Sequence, residues 1–302
     1  MNRRIKFRHI QSFVEIARER SLKSAAQKLY LTQPAISKTL KELEDIVGSS
    51  LMTRSRSGVS LTREGEIFLH FAQISLASLQ QGLDGVERAG AQKKEVLTIG
   101  SLPSVAAWLM PPVVAEFTEL APNSVLRIVD GPHAYLIDRL RLGELDLVIG
   151  RLGQPDTMQG ISFTQLYTEQ VELVVRTGHP LLEGFDIQRI ADWQVICPPV
   201  GSAIRPLVER FLIANGVGEI PNRLETVSGA FGRVYTRNSD AIWIISGGVA
   251  ANEIADGRLQ KLPVETSITE GPVGLMTRPE EVELPVRRIF QIAVKNVLEQ
   301  VA

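Results

Sequence analysis

Cysteine is nearly absent: the 302 residues hold one, Cys197. An internal disulfide is therefore excluded, and a lone thiol of this kind ordinarily sits buried as a small apolar side chain. Histidine is sparse too. His9, His70, His133 and His179 are scattered and share no metal-ligand spacing. There is no Gly-rich phosphate loop and no Gly-x-Ser-x-Gly elbow, so the usual sequence grounds for nucleotide or acyl-transfer chemistry are missing. No catalytic residue, metal or resident cofactor is expected. No uninterrupted apolar stretch is long enough to span a bilayer. The opening MNRRIKFRHI is basic but lacks the apolar run of an export signal, so the expected compartment is the cytoplasm, away from the membrane.

What is present is ordinary in amount and uneven in placement. Hydrophobic residues make up 44% and charged residues 22%, a globular balance over a length that fits two or three domains. The net charge of -1 hides an asymmetry. Residues 1–65 carry 13 Lys+Arg against 6 Asp+Glu, a balance of +7, and the remainder balances at -8. A basic head on an acidic body directs attention to the head as a nucleic-acid contact.

The head is organised around SLKSAAQKLYLTQPAISKTLKELEDIV, residues 21–47. Leu22, Ala25, Ala26 and Leu29 fall at i, i+3, i+4 and i+7, one face of a short helix. Thr32 suits an N-cap, and Pro34 falls in the first turn, where its missing N–H costs nothing. The second helix then turns Ile36, Leu40, Leu43 and Val47 inward, with Gln33, Ser37, Lys38 and Lys41 outward. This is the layout of a helix-turn-helix whose second helix enters a major groove. Gln reads an adenine edge, Ser reaches base or phosphate, and Lys meets phosphate or guanine. The plain alternative is a helical hairpin with a solvated polar face.

Around it, Phe7, Ile10, Val14 and Ala17 predict a first helix packed behind the pair. Ser21 is expected to cap the next helix, and Gly48 to stop the recognition helix. Leu51-Met52 and Val59–Leu61 flank a polar Ser57-Gly58 turn, a small hairpin with Arg54 and Arg56 at its tip. Beside a recognition helix such a wing reaches phosphates or the minor groove; otherwise it is an exposed basic loop. Thr62 caps a long helix from Arg63 to about Ala89. Leu69, Ala72, Leu76, Leu79, Leu83 and Val86 step along it as a heptad seam, suited to pairing with a second copy or to packing on its own chain. Gly90 to Glu95 reads as a solvated linker.

From Val96 the texture becomes α/β. The order VLTIG, a helix interrupted at Pro111-Pro112, SVLRIVDG, a helix from Tyr135 to Leu142, and LDLVIG implies a parallel sheet. The pattern recurs in VELVVRTG, WQVICPP, a helix from Ser202 to Ala214, LETVS and AIWIIS. GPVGLMT and a helix from Glu283 to Val301 close the chain. Two α/β lobes follow, with crossings near Ile161–Leu166 and Ser267–Gly271 and a cleft between them.

These stretches resemble the LysR-type transcriptional regulators. The likeness is densest in SLKSAAQKLYLTQPAISKTLKELEDIVGSSLMTRSRSGVSLTREG and extends through VLTIGSLPSVAAWLMPPVVAEF and LGELDLVIG. VSGAFGRVYTRNSDAIWIISGGVAANEIADG and GPVGL resemble the subgroup that activates protocatechuate-catabolism genes. The resemblance implies a winged helix-turn-helix over residues 1–62, a dimerising linker helix over 63–91 and an inducer domain over 92–302. That domain is two-lobed and like the periplasmic binding proteins, with lobe I at about 92–163 and 268–302 and lobe II at about 164–267. The resemblance also implies double-stranded promoter DNA and RNA polymerase as partners, and a homodimer assembling to a homotetramer. It further places Gln33, Ser37 and Lys38 on the recognition helix, Arg54 and Arg56 on the wing, and Ser101 and Ser104 at the inducer cleft.

The residues supply their own candidates for that cleft. One strand ends in Gly100-Ser101-Leu102-Pro103-Ser104 and another in Pro198-Pro199-Val200-Gly201-Ser202, each opening a helix. Facing each other, two helix N-termini with hydroxyls suit a carboxylate at either end of a small inducer; alternatively the serines are only N-caps. Arg151, Arg205 and His133 sit where they can pair a carboxylate or simply lie on the surface. A di- or tricarboxylate from aromatic-ring degradation, such as carboxy-cis,cis-muconate, is the expected inducer. Activation and repression are not separable at this level. A solute-binding protein or enzyme with a helical extension lacks motif support.

Overall fold

The computed structural model describes residues 4–55, 58–89, 94–279 and 284–301. It comprises two compact units, Met1–Gln92 with Arg141–Glu144, and Lys93–Leu140 with Leu145–Ala302. No helix among the described residues is long and apolar enough to cross a membrane.

The first unit runs α1 (Phe7–Glu19), α2 (Leu22–Lys28), α3 (Gln33–Val47), β1 (Met52–Ser55), β2 (Gly58–Leu61) and α4 (Arg63–Ala89). The caps form as expected. Ser21 Oγ accepts the Ser24 N–H at 3.3 Å, Thr32 Oγ1 accepts that of Ala35 at 3.4 Å, and Thr62 Oγ1 that of Gly65 at 2.9 Å. Gly48 ends α3 at a φ of 79°, a left-handed turn that suits glycine. Phe13, Ile16, Ala25, Ile36, Leu40, Leu43 and Leu51 form one core with Ala72 of α4. Phe13 meets Phe68 edge-on at 5.2 Å.

Three expectations here change. Phe7 is half exposed, whereas Ile10, Val14 and Ala17 pack on the core as expected, beside the buried His9, Ser12, Phe13 and Ile16. His9 turns inward since its ring is tied at both nitrogens: Nδ1 accepts the Lys6 N–H at 3.2 Å, and Nε2 lies 3.3 Å from Glu42. Val47 is exposed, because the last turn of α3 has already left the core. The seam on α4 does not act as one stripe. Leu69, Ala72 and Leu76 pack on the unit's own core, whereas Leu79 and Leu83 are exposed. The Val86 side chain, Arg56, Ser57 and residues 90–93 lie outside the described set.

The second unit holds two five-stranded sheets. The first contains β3 (Val96–Ser101), β4 (Val125–Asp130), β5 (Leu147–Arg151), β6 (Ser162–Glu169) and the late strand β12 (Gly271–Thr277), in the order β4-β3-β5-β12-β6. Its helices are α5 (Pro103–Trp108), α6 (Met110–Leu120), α7 (His133–Arg141) and α11 (Pro285–Val301). The second sheet holds β7 (Val171–Arg176), β8 (Val195–Cys197), β9 (Arg223–Glu225), β10 (Ile242–Ser246) and β11 (Leu259–Lys261), ordered β11-β7-β10-β8-β9. It carries α8 (Arg205–Ala214), α9 (Gly229–Arg237) and α10 (Gly247–Ala255).

The sheets are mixed, not purely parallel. β4, β3 and β5 run parallel, but β12 is antiparallel to both β5 and β6. In the other sheet β8, β9 and β10 are parallel and β7 is antiparallel. Residues 161–166 are therefore not the first crossing. Ser162–Glu169 pairs along β12 as an edge strand of lobe I, and the chain passes to lobe II at Gln170. Its exposed face, with Ser162, Thr164, Gln165 and Thr168, explains why periodicity alone missed it. The helix α9 has no apolar stripe in the sequence to announce it, because the positions it buries are Gly232 and Thr236. The expected helix start at Glu283 lies outside the described residues.

Candidate nucleic-acid interface and effector cavity

On the first unit, the register set by buried Ile36 and Leu40 turns Gln33, Pro34, Lys38 and Lys41 to solvent, with Thr32 just ahead of them and Ser37 half-buried between. Lys38 and Lys41 are in no ion pair with a carboxylate among the described residues. The wing stands beside this face: Arg54 on β1 pairs in register with Val59, and its Nη2 donates to Ser37 Oγ at 2.9 Å. Recognition helix and wing enclose a groove of about 990 Å³ whose cationic side chains are Lys38, Lys41 and Arg54. Its lining also holds the carboxylates Glu44 and Asp45; the exposed cations and hydroxyls on it are groups a phosphate backbone can use.

Behind α3, Glu42 receives His9 and Arg8, whose hydrogen bonds hold its carboxyl below the usual range.

In the second unit a small cavity of about 60 Å³ lies between the lobes. Leu102, Ser104, Pro132, His133 and Arg151 line it from lobe I, and Ser202, Ile204, Val227, Ser246 and Val249 from lobe II. Thus Leu102, Ser104, His133, Arg151 and Ser202 are brought together as the strand ends suggested. Ser101, Val200 and Arg205 are not. Ser101 is fully buried and its hydroxyl turns to the Leu102 carbonyl at 3.4 Å. Val200 is 82% exposed. Arg205 is held by Glu209 at 2.6 Å, Glu225 at 2.9 Å and the Pro198 carbonyl at 2.9 Å, which turns its charge to the lobe II edge.

Of the three cavity serines, Ser104 and Ser202 are not helix caps, and Ser246 stands at the N-cap of α10 without a side-chain cap hydrogen bond. Leu102 is the N-cap of α5 with Ser104 already in the first turn. α8 starts only at Arg205, with Ile204 as its N-cap. Ser202 Oγ is buried without a hydrogen-bond partner. His133 opens α7 rather than lying in a loop, and it is buried beneath Gly153, where an added Cβ would stand 2.2 Å from the ring.

Arg151 has a second task. Its guanidinium donates to the Glu169 carbonyl at 2.7 Å and the Thr269 carbonyl at 3.2 Å, one at each chain crossing between lobes. Burial pulls its pKa down while the Glu169 charge pushes it up. Glu169 is itself buried, and burial raises its pKa; Arg151, the Gly248 N–H, Ser104 and Ser246 work in the other direction. The Gly248 N–H reaches Oε1 at 2.9 Å from the start of α10. Cys197 ends β8 as a buried thiol whose pKa burial pushes up to about 11, so it is unreactive at neutral pH.

Two family models match this chain: the bacterial regulatory helix-turn-helix of the lysR family over residues 7–66, and the LysR substrate-binding domain over residues 90–298. The chain belongs to the LysR family. It is a LysR-type transcriptional regulator with an N-terminal DNA-binding helix-turn-helix. Among its LysR relatives, the regulator PcaQ of Agrobacterium fabrum is 47% identical over 96% of this chain and 94% of its own. The uncharacterised regulator YdcI of Escherichia coli is 32% identical over 92% and 91%. Solved LysR structures share the fold. Full-length LysG of Corynebacterium glutamicum with bound effector Arg superposes with a TM-score of 0.64 at 18% identity, covering 98% and 99%. CbnR in complex with its target DNA gives 0.57 at 20%, covering 97% and 100%.

Several lining residues of this LysR effector domain escaped the sequence reading, notably Ser246 and Val249. The sequence carries a signal for them: AIWIIS-Gly-Gly is a third strand end that opens a helix, like those at Ser101–Ser104 and Val200–Ser202.

Proposed function

We propose that this LysR-type regulator activates genes of protocatechuate catabolism when a small di- or tricarboxylate, such as carboxy-cis,cis-muconate, binds between its lobes. The observation that carries the pathway is the 47% identity to PcaQ across nearly the whole of both chains. The cavity chemistry supports the inducer class: Ser202 brings an unpartnered hydroxyl, with Ser104, Ser246, His133 and Arg151 around it. The volume of about 60 Å³ falls well short of the several hundred Å³ that ligand sites typically occupy. The inducer shifts an equilibrium between lobe arrangements only as far as it prefers one state. Thr32, Gln33, Pro34, Ser37, Lys38, Lys41, Arg54 and Arg56 meet promoter DNA. The exposed Ile67, Phe71, Leu79 and Leu83 of α4 supply an apolar stripe for a second copy, the first step to a homotetramer that contacts RNA polymerase in the cytoplasm.

Trp108, Trp193 and Trp243 all lie in the effector unit, so intrinsic fluorescence tests the inducer directly. Titration with carboxy-cis,cis-muconate, cis,cis-muconate and protocatechuate should give a saturable change with the first alone. Saturation by another moves the regulator to a neighbouring pathway, and silence from all three removes the proposed inducer. Transcription with polymerase added should rise, not fall, with inducer.

A further inference from the structure

The carboxylate of Glu44 lies at the junction of recognition helix and wing. Its Oε1 accepts three donors from the next segment: the Leu51 N–H at 2.7 Å, the Met52 N–H at 3.1 Å and the Ser50 hydroxyl at 3.2 Å. The same short segment is gripped from its other side by the start of α4. Thr62 donates its hydroxyl to the Ser50 carbonyl at 2.8 Å and its N–H to the Leu51 carbonyl at 3.0 Å. Gly65 sits so close that an added Cβ would stand 1.9 Å from the Leu51 oxygen. At the far end β2 is held by the Val59 N–H donating to the Arg20 carbonyl at 3.0 Å.

An acid here is anomalous on charge alone. Glu44, with Asp45 beside it, lines the same groove as Lys38, Lys41 and Arg54, where phosphates would approach, and a carboxylate repels them. Its geometry supplies the reason for its presence. We propose that Glu44 is a positioning residue for DNA binding: it clamps the root of the wing to the recognition helix and so holds Arg54 beside Ser37, over the groove. Two backbone N–H groups at the start of β1 have no ladder partner on that side, and a charged acceptor holds them more firmly than water does. The clamp rests on the reading of the wing as a phosphate contact.

The test separates geometry from charge by the sign of the effect. The full-length protein and its E44A, E44Q, R54A and E44A/R54A variants are titrated against a fluorescein-labelled mixed-sequence duplex across a series of KCl concentrations. Amide hydrogen exchange at Leu51 and Met52 is followed in parallel. E44A should lose protection at both amides, bind more weakly and flatten the salt slope by about 0.9, the value for one lost phosphate contact. R54A should match it, and the double variant should be no flatter than either. E44Q keeps an acceptor and loses the repulsion, so it should keep its protection and bind at least as tightly as the unaltered protein. Should E44A lose its helical signal, E44D carries the same test, because it keeps the charge but shortens the reach. Retained protection in E44A, or tighter binding by E44A and E44Q alike, overturns the clamp. A flattened slope in R54A with none in E44A overturns the clamp while leaving the wing reading intact. An unchanged slope in R54A removes the wing contact and with it anything for Glu44 to position.

Discussion

The two units use arginine in opposite ways. In the helix-turn-helix unit Arg54 is exposed and, among the described residues, its guanidinium donates to the neutral hydroxyl of Ser37, so its charge is available to a partner. In the effector unit Arg205 is held by two carboxylates and a carbonyl, and Arg151 is buried across the two chain crossings. An exposed cation keeps its hydration until phosphate displaces it, whereas a buried one must be satisfied by the protein itself. The lesson is that an arginine near a site is not thereby a ligand of it. The basic groove is built from side chains of one local segment, while the cavity is built from strand ends and hydroxyls drawn from both lobes.

The comparison can be broken most forcefully at the small core of the first unit. Leu40 is buried there, and Leu40→Ala should cost about 2–5 kcal/mol. DNA binding and part of the helical signal should be lost on mild heating. The tryptophan-reported transition should stay in place, because every tryptophan lies in the effector unit. Movement of both transitions together would mean the units do not unfold separately.

The converse change is Gly232→Ala. A Cβ there would stand 2.3 Å from Trp243 Cζ2, and overpacking of this kind costs about 1–3 kcal/mol. Tryptophan emission should shift and the lobe II melting temperature fall, with the DNA salt slope unchanged. Lys38→Ala should act only on DNA, reducing the salt slope by about 0.9, as read by fluorescence anisotropy. Arg205→Ala sharpens the contrast between arginines: stability should drop by about 0.5–1 kcal/mol, since its partners are largely solvated. The inducer-dependent fluorescence change should survive it.

The smallest effect is expected at Glu42. Hydrogen bonds from His9 and Arg8 hold its folded pKa below the ordinary 4.5. The stability it contributes is thus present above pH 4.5 and is lost as pH falls through the depressed folded value. Glu42→Gln should flatten the acid limb of a melting-temperature profile below pH 4.5 while lowering stability only slightly at neutral pH.

The helix-turn-helix was legible because its signals are local. The caps Ser21, Thr32 and Thr62 and the stop at Gly48 each act within a few residues, and helical periodicity sorted Ile36 and Leu40 from Lys38 and Lys41. At α1 the same method placed Ile10, Val14 and Ala17 against the core and missed only at Phe7, which is half exposed beside a buried His9 whose ring is held by polar partners. It failed at β6, whose partner β12 arrives about a hundred residues later; an edge strand with one wet face has no apolar run to announce it.

The family, the helix-turn-helix and the solvent-facing side of its second helix were determined by the sequence alone, because caps, stops and helical periodicity close within one or two helical turns. Tertiary structure alone decided which strand ends meet at the effector cavity. It placed Ser202 and Ser246 around one cavity with Ser104, sent Arg205 to the lobe edge and gave Arg151 to the carbonyls at the two chain crossings. Those outcomes depend on which distant carboxylates and carbonyls reach a side chain first, and spacing along a chain carries no record of that competition.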